Sequence, residues 1–484
     1  MTQNISHLHP TEVWSAFEEI CAIPRPSKKE EKIIAFLETF ALKHSLSFKQ
    51  DEAGNVLISK KATPGFETHP GVILQSHLDM VGEKNSNVNH NFDTDPIIPY
   101  IDEEWVKAKG TTLGADCGIG IATQMAVLAS KSIEHGPLEC LFTVDEETGL
   151  TGAFALKPDF MEGKILLNLD SEDEGEMFIG CAGGVDTIAI FNPKNETAPK
   201  GFFPIEIKIW GLVGGHSGDD INRGRASAVK IMSRILYDAY HNYGIRIHNI
   251  NAGNLRNAIA REAKVTILIQ HGYKENLVAD FNVFKNEILE EYKITEPGMK
   301  LDLSSCDMPE TVIDNNTCQS LINALYICPH GVQAMSYAMP GMVETSTNLA
   351  SVKYTPKGQI EVTTSQRSDR NSSKKHISTV VETVFELNGA SVKHSDGYPG
   401  WQPNPESTVV KKSIEVYANL FEQAPIVRSI HAGLECGLFL AKYPHLDMVS
   451  FGPTIKGAHS PDERLNIETV DKFWEFLKAL LKEI

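Results

Sequence analysis

Lysine and arginine are in short supply: 45 of them face 63 aspartates and glutamates, for a formal net charge of -18. That balance excludes a nucleic-acid partner. No apolar run approaches membrane-spanning length, so no membrane partner is expected. Residues 1–7 lack the charged and apolar regions of a signal peptide. The eight cysteines include no Cys-x-x-Cys pair and suggest neither a zinc finger nor a disulfide framework. A reduced, cytoplasmic protein is expected. With 42% hydrophobic and 22% charged residues, disorder is excluded. At 484 residues the chain is too long for one core, so two or more domains are expected.

Among what is present, residues 72–81 organise the rest. The apolar run 72–74 reads as a buried strand. It ends in Gln75-Ser76-His77-Leu78-Asp79. Residues two apart in a strand share a face, so His77 and Asp79 can address one site at the carboxyl end, where open α/β sheets bind ligands. Alone, such a His-x-Asp is weak evidence. Two further apolar strands repeat the design. Residues 138–144 run into Asp145-Glu146-Glu147-Thr148-Gly149, and residues 164–169 end in Asp170. Three consecutive acids repel one another unless a positive charge sits among them. The glycine-rich stretch 111–120 opens a small-residue helix, 121–129. It lacks the Gly-Lys-Ser/Thr ending of a phosphate loop, and Asp116 stands where an anion would approach.

Helices are expected at 12–21, with Thr11 as N-cap, and from a capping box at Ser27-Lys28-Lys29-Glu30 to about 44. From about residue 186 the texture changes to two strand–helix units of α+β make-up, and near residue 396 the first style resumes. The expected architecture is therefore a doubly wound α/β catalytic domain, residues 1–186 and 396–484. An α+β lid or dimerisation domain, residues 187–395, is inserted into it.

His77, Asp79, Asp116, Glu146, Glu147, Asp170 and His459 form a mixed nitrogen and oxygen set that suits two Zn2+ ions, or Co2+ or Mn2+ in their place. A carboxylate bridging two metals holds them roughly 3.5–4 Å apart. With Thr112-Leu113-Gly114-Ala115-Asp116, Gly214-Gly215-His216-Ser217-Gly218 and Gly457-Ala458-His459-Ser460-Pro461, the joint order and spacing resembles the M20 family of di-zinc peptidases over essentially the whole chain.

The resemblance implies roles. His77, Asp116 and Asp170 hold one metal; Asp116, as the bridge, Glu147 and His459 hold the other. Asp79 orients His77. Glu146 is the general base. His216 meets the developing oxyanion, and Arg367 binds the substrate carboxylate. Asn257 and Gly433 line the substrate pocket. The implied reaction is hydrolysis of unblocked dipeptides, Xaa-His including β-alanyl-histidine, by a homodimer. A tripeptide aminopeptidase or an N-acyl amino acid amidohydrolase is the rival within the class. A non-catalytic metal-binding scaffold is the rival outside it, and Glu146 beside Glu147 speaks against that. Two features depart from the pattern. Cys117 stands where relatives commonly carry Asn, and Arg370 competes with Arg367 for the carboxylate. His431, His445 and Cys436 are assigned no chemistry.

Overall fold

The computed structural model describes residues 4–484; the first three residues, included in the expected bounds of the catalytic domain, lie outside them. Two compact units emerge. One runs up to Gly180 and includes Pro403–Ser429 and Leu434–Ile484; the other is Cys181–Gln402 with Ile430–Gly433. The sequence-based bounds at 186 and 396 both fall inside the second unit.

The first unit is built on an eight-stranded sheet. Its centre is four neighbouring parallel strands, Leu138–Thr143, Val72–His77, Ile165–Asn168 and Asp447–Ser450. All six residues of Val72–His77 are buried, as befits a strand covered on both faces. Antiparallel edges flank this centre, with Val56–Lys60 and Ser47–Gln50 on one side and Glu176–Cys181 on the other. Register places His77 beside Thr143 and Gln75 beside Asn168. The strands therefore end within two residues of one another, and the residues after them emerge along one edge. Helices Thr11–Cys21 and Ala115–Ala129 pack together, and Ala115–Ala129 also lies on Val72–His77. A small antiparallel sheet joins the hairpin Ile455–Lys456 and Arg464–Asn466 to Trp105–Ala108 and Pro99–Asp102.

Both helix starts differ from expectation. The first helix begins at Thr11 with Pro10 at the cap position, so Thr11 is not its N-cap. The second begins at Glu31, and no side chain caps it. Ser27 Oγ donates instead to Asp79 Oδ2 (2.8 Å), while Glu30 Oε1 accepts the N–H of Lys28 (2.9 Å) and Asp145 (3.0 Å). Both capping-box side chains are drawn away by tertiary partners with stronger claims than the helix end.

The second unit holds one nine-stranded antiparallel sheet rather than two separate α+β pieces. Strands Gly183–Phe191 and Arg246–Gly253, unforeseen in the sequence, lie between the others and join them. Ile205, Ile207 and Ile209 point into a core shared with the helix Ala228–Tyr243. No helix among the described residues is long and apolar enough to cross a membrane.

Candidate active site

The carboxyl edge of the parallel strands gathers the chemistry. His77 ends its strand with Nδ1 3.3 Å from Asp79 Oδ1, and its Nε2 faces Asp116 Oδ1 (3.0 Å) and Asp170 Oδ1 (3.3 Å). Asp116 turns its other oxygen, Oδ2, to His459 Nε2 (3.2 Å). Glu147 Oε2 approaches that same nitrogen at 2.9 Å. Asp116 thus spans two clusters, one imidazole in each. Asp79 reaches further: Oδ1 and Oδ2 accept the N–H groups of Glu146 (3.0 Å) and Glu147 (3.2 Å). The Asp79 carbonyl lies nearer still to His77 Nδ1, at 3.1 Å, so Asp79 orients the imidazole through both its carbonyl and its carboxylate, and the carboxylate also fixes the acidic turn.

Local backbone explains why the acids sit where they do. Asp145 adopts a left-handed conformation, φ 51°. Its side chain accepts from Thr148 (2.5 Å) and Thr151, so the turn closes on itself and Glu146 and Glu147 open the short helix Glu146–Gly149. His459 is left-handed as well, φ 61°, in the loop of the hairpin Ile455–Lys456 and Arg464–Asn466.

Negative charge exceeds what two imidazoles can balance. Burial, then the charges of Asp170, Glu435 and Glu147, pushes Glu146 well above the usual carboxylate range, with His77 opposing. Burial raises Glu147 and Asp170 too. Glu172 rises to about 8 through burial and then Asp116 and Asp170. Against burial, which would raise it, hydrogen bonding to His77 holds Asp79 at about 2. His459 is driven up to about 11 by its hydrogen bonds to Asp116 and then Glu147. Asp170 Oδ1 is buried and accepts no hydrogen bond. Three overlapping sets of potential ligand atoms each lie within 4.8 Å: His77, Cys117 and Asp170; His77, Glu146 and Glu147; Asp116, Glu147 and His459. A site of this composition fits divalent cations. Cys117 is buried and donates to the Leu169 carbonyl at 3.4 Å.

The second unit carries its own polar cluster. His216 Nδ1 accepts the N–H groups of Gly218 (3.3 Å) and Asp219 (3.2 Å). Asp219 Oδ2 lies 3.4 Å from the same nitrogen. The Asn257 carbonyl accepts the Ser217 N–H at 2.8 Å, bracing this turn, and the Asn257 side chain is exposed. A Cβ on Gly218 would come within 2.0 Å of the His431 carbonyl oxygen, so the turn beside His216 requires glycine there. Arg367 is 7% exposed, donates from Nη1 to Tyr398 Oη (3.2 Å), and has no partner at Nε. Arg370 Nε already lies 3.0 Å from Glu344 Oε2. Tyr398 also packs on Gly433, where a Cβ would fall 2.8 Å from the ring. His431 bonds Ser346 Oγ at 2.8 Å and is held down to about 3 by burial and then by Arg367.

Four residues of these clusters escaped the sequence reading. Glu435, raised to about 8 by burial, accepts from Gln75 (2.6 Å) and Thr143 (2.7 Å). Glu463 and Arg25 grip the loop that carries Asp116, and Tyr398 meets Arg367. Arg25 and Glu463 lie in no strand-end or glycine-flanked pattern; Tyr398, between Gly397 and Gly400, and Glu435, between Gly433 and Gly437, have glycines near them but neither directly follows an apolar strand. The anion expected to be unwelcome at 111–120 is in fact present: it is the Glu463 carboxylate, which accepts the N–H groups of Leu113 to Asp116.

Comparison with known proteins matches residues 73–483 to the model of peptidase family M20/M25/M40. The chain is 42% identical over 480 residues to the cytosol non-specific dipeptidase of Escherichia coli, covering 99% of each. The crystal structure of aminoacylhistidine dipeptidase from Vibrio alginolyticus superimposes with a TM-score of 0.92 at 44% identity, covering 99% of this chain and 98% of that one. Aminopeptidase PepT from Bacillus cereus shares the fold, with a TM-score of 0.58 at 16% identity, covering 98% and 99% of the two chains.

Proposed function

The chain belongs to peptidase family M20/M25/M40, and from that premise we propose that it is a metal-dependent dipeptidase acting on unblocked dipeptides, Xaa-His including β-alanyl-histidine. One observation carries the reading: Asp116 divides its two oxygens between His77 and His459. That is the placement a bridging ligand needs. The names of the two similar proteins, a non-specific dipeptidase and an aminoacylhistidine dipeptidase, support the substrate class.

In this reading His77, Asp116 and Asp170 hold one divalent ion, and Asp116, Glu147 and His459 hold a second; zinc is proposed, with cobalt or manganese as substitutes. Such a pair supplies Lewis acidity at the scissile carbonyl and acidifies the attacking water. Glu146 takes the proton from that water and returns it to the leaving amine. Its raised pKa suits a group that must act as base and then as acid. Asp79 keeps His77 oriented and holds Glu146 through its backbone. His216 Nε2 donates to the oxyanion. Arg367, buried without a carboxylate partner, binds the substrate C-terminus bidentately, whereas Arg370 is already paired with Glu344. The chain is proposed to act as a homodimer, with the second unit as lid or dimerisation domain.

A panel of dipeptides, tripeptides and N-acyl amino acids tests this, assayed after chelator dialysis and again with zinc, cobalt or manganese. Free dipeptides should be cleaved best, and only with metal restored. Full activity in protein shown to be metal-free, or N-blocked substrates ranking first, would overturn it.

A further inference from the structure

Two charged residues outside the proposed chemistry grip the loop that carries Asp116. Glu463 is 2% exposed. Its Oε2 accepts the N–H of Leu113 (2.7 Å) and Gly114 (2.9 Å), and its Oε1 accepts those of Ala115 (2.7 Å) and Asp116 (3.3 Å). Four consecutive amide dipoles aimed at one point repel each other unless an anion sits there. Glu463 is that anion, and both its oxygens are committed to the backbone. On the carbonyl side, Arg25 Nη1 donates to Leu78 O (2.9 Å) and Asp79 O (2.7 Å), and its Nη2 donates to Gly114 O.

The loop needs such restraint. Gly114 is left-handed at φ 70°, and a Cβ there would lie 2.8 Å from both the Arg25 guanidinium and Met80 Sδ. Asp116 and Cys117 depart from helical geometry. Glu463 follows His459 by four positions in the same hairpin loop. Arg25 therefore joins the strand end of His77 to the loop of Asp116, and Glu463 joins that loop to the hairpin of His459.

We infer that Glu463 is a positioning residue that holds Asp116 and His459 in register across one of the two metal positions, with Arg25 holding Asp116 against His77. This rests on the two-metal reading above. A merely structural Glu463 would lower thermal stability and leave metal affinity alone.

The experiment is zinc titration of the metal-free, full-length protein by competition with a chromophoric chelator, comparing wild type, His459→Ala and Glu463→Gln. The glutamine keeps the size but turns an amide nitrogen towards N–H donors. Wild type should bind two equivalents, and His459→Ala should lose one. Glu463→Gln should bind one equivalent roughly 10–100-fold more weakly, as removal of such a support does, and amides 113–116 should exchange faster before metal is added. Fewer than two equivalents in wild type overturns the two-metal reading and the positioning role with it. Two equivalents at wild-type affinity in folded Glu463→Gln overturns the positioning role alone. If that variant does not fold, Glu463→Asp carries the same comparison. It keeps the charge and draws it back by one methylene, so one weakened equivalent supports the role and unchanged affinities overturn it.

Discussion

Replacing Glu146 by glutamine should have two effects of opposite sign. The Glu146 backbone N–H, which Asp79 holds at 3.0 Å, survives the substitution, and the proposed ligand contact of the turn, Glu147 Oε2 to His459 at 2.9 Å, is untouched. Metal content should therefore stay at the wild-type level. What disappears is a carboxylate that burial, Asp170, Glu435 and Glu147 already hold well above its ordinary pKa. Glutamine is spared the folding cost of that upward shift, so the metal-free variant should unfold at a temperature no lower than wild type. Turnover should nevertheless fall by about 10²–10⁴-fold, the usual contribution of a general base, which is about 2.7–5.5 kcal/mol of barrier. Elemental analysis, thermal unfolding of metal-free protein and kcat on a free dipeptide read the three quantities. Glu147→Gln is the control: it should lose metal. Near-normal kcat in Glu146→Gln, or metal lost from it while Glu147→Gln keeps its metal, would refute the division of roles.

Arg367→Ala should raise KM for free dipeptides about 10–100-fold, matching charge-assisted bonds of about 1.5–3 kcal/mol, and should hardly affect a C-terminally amidated dipeptide. Arg370→Ala should change KM far less, and the reverse order would exchange their roles. His216→Ala should lower kcat by about 10²–10³-fold, as loss of one oxyanion donor does, with metal content unchanged; an equal rise in KM instead would make it a ground-state contact. Mixing His216→Ala with Glu146→Gln under subunit exchange should restore activity if His216 serves a partner chain, and no recovery despite demonstrated exchange counts against that delivery. His431 is held neutral to about pH 3, so between its ordinary 6.5 and that value the unfolded chain binds a proton that the folded one does not. Stability should fall as pH drops through this window, and His431→Gln should show a shallower fall in urea midpoints between pH 7 and 4. An unchanged slope would show that His431 titrates normally.

The segments that carry the candidate ligands were legible because their signal is local. An apolar strand ending in His77, in Glu146 and Glu147, or in Asp170 announces both its burial and the edge at which it stops, and parallel pairing with ends within two residues of one another does the rest. The nine-stranded sheet of the second unit was less legible, since Gly183–Phe191 and Arg246–Gly253 alternate too weakly to read as strands, and it is Arg246–Gly253 that joins its two halves. The capping box at Ser27 and Glu30 misled because sequence records which bonds a side chain can make, not which partner competes best. Asp79 and the Asp145 amide outbid the helix end once the chain had folded. Composition and strand-end pattern by themselves determined an acidic two-part α/β protein with a mixed histidine and carboxylate centre. Tertiary structure alone decided that Arg367 rather than Arg370 lacks a carboxylate, that Tyr398 meets it, and that Glu463 fills the amide cradle beside Asp116. Those contacts join residues as far as 350 positions apart, and a carboxylate's partner at that distance is set by how the elements pack, which no window of sequence contains.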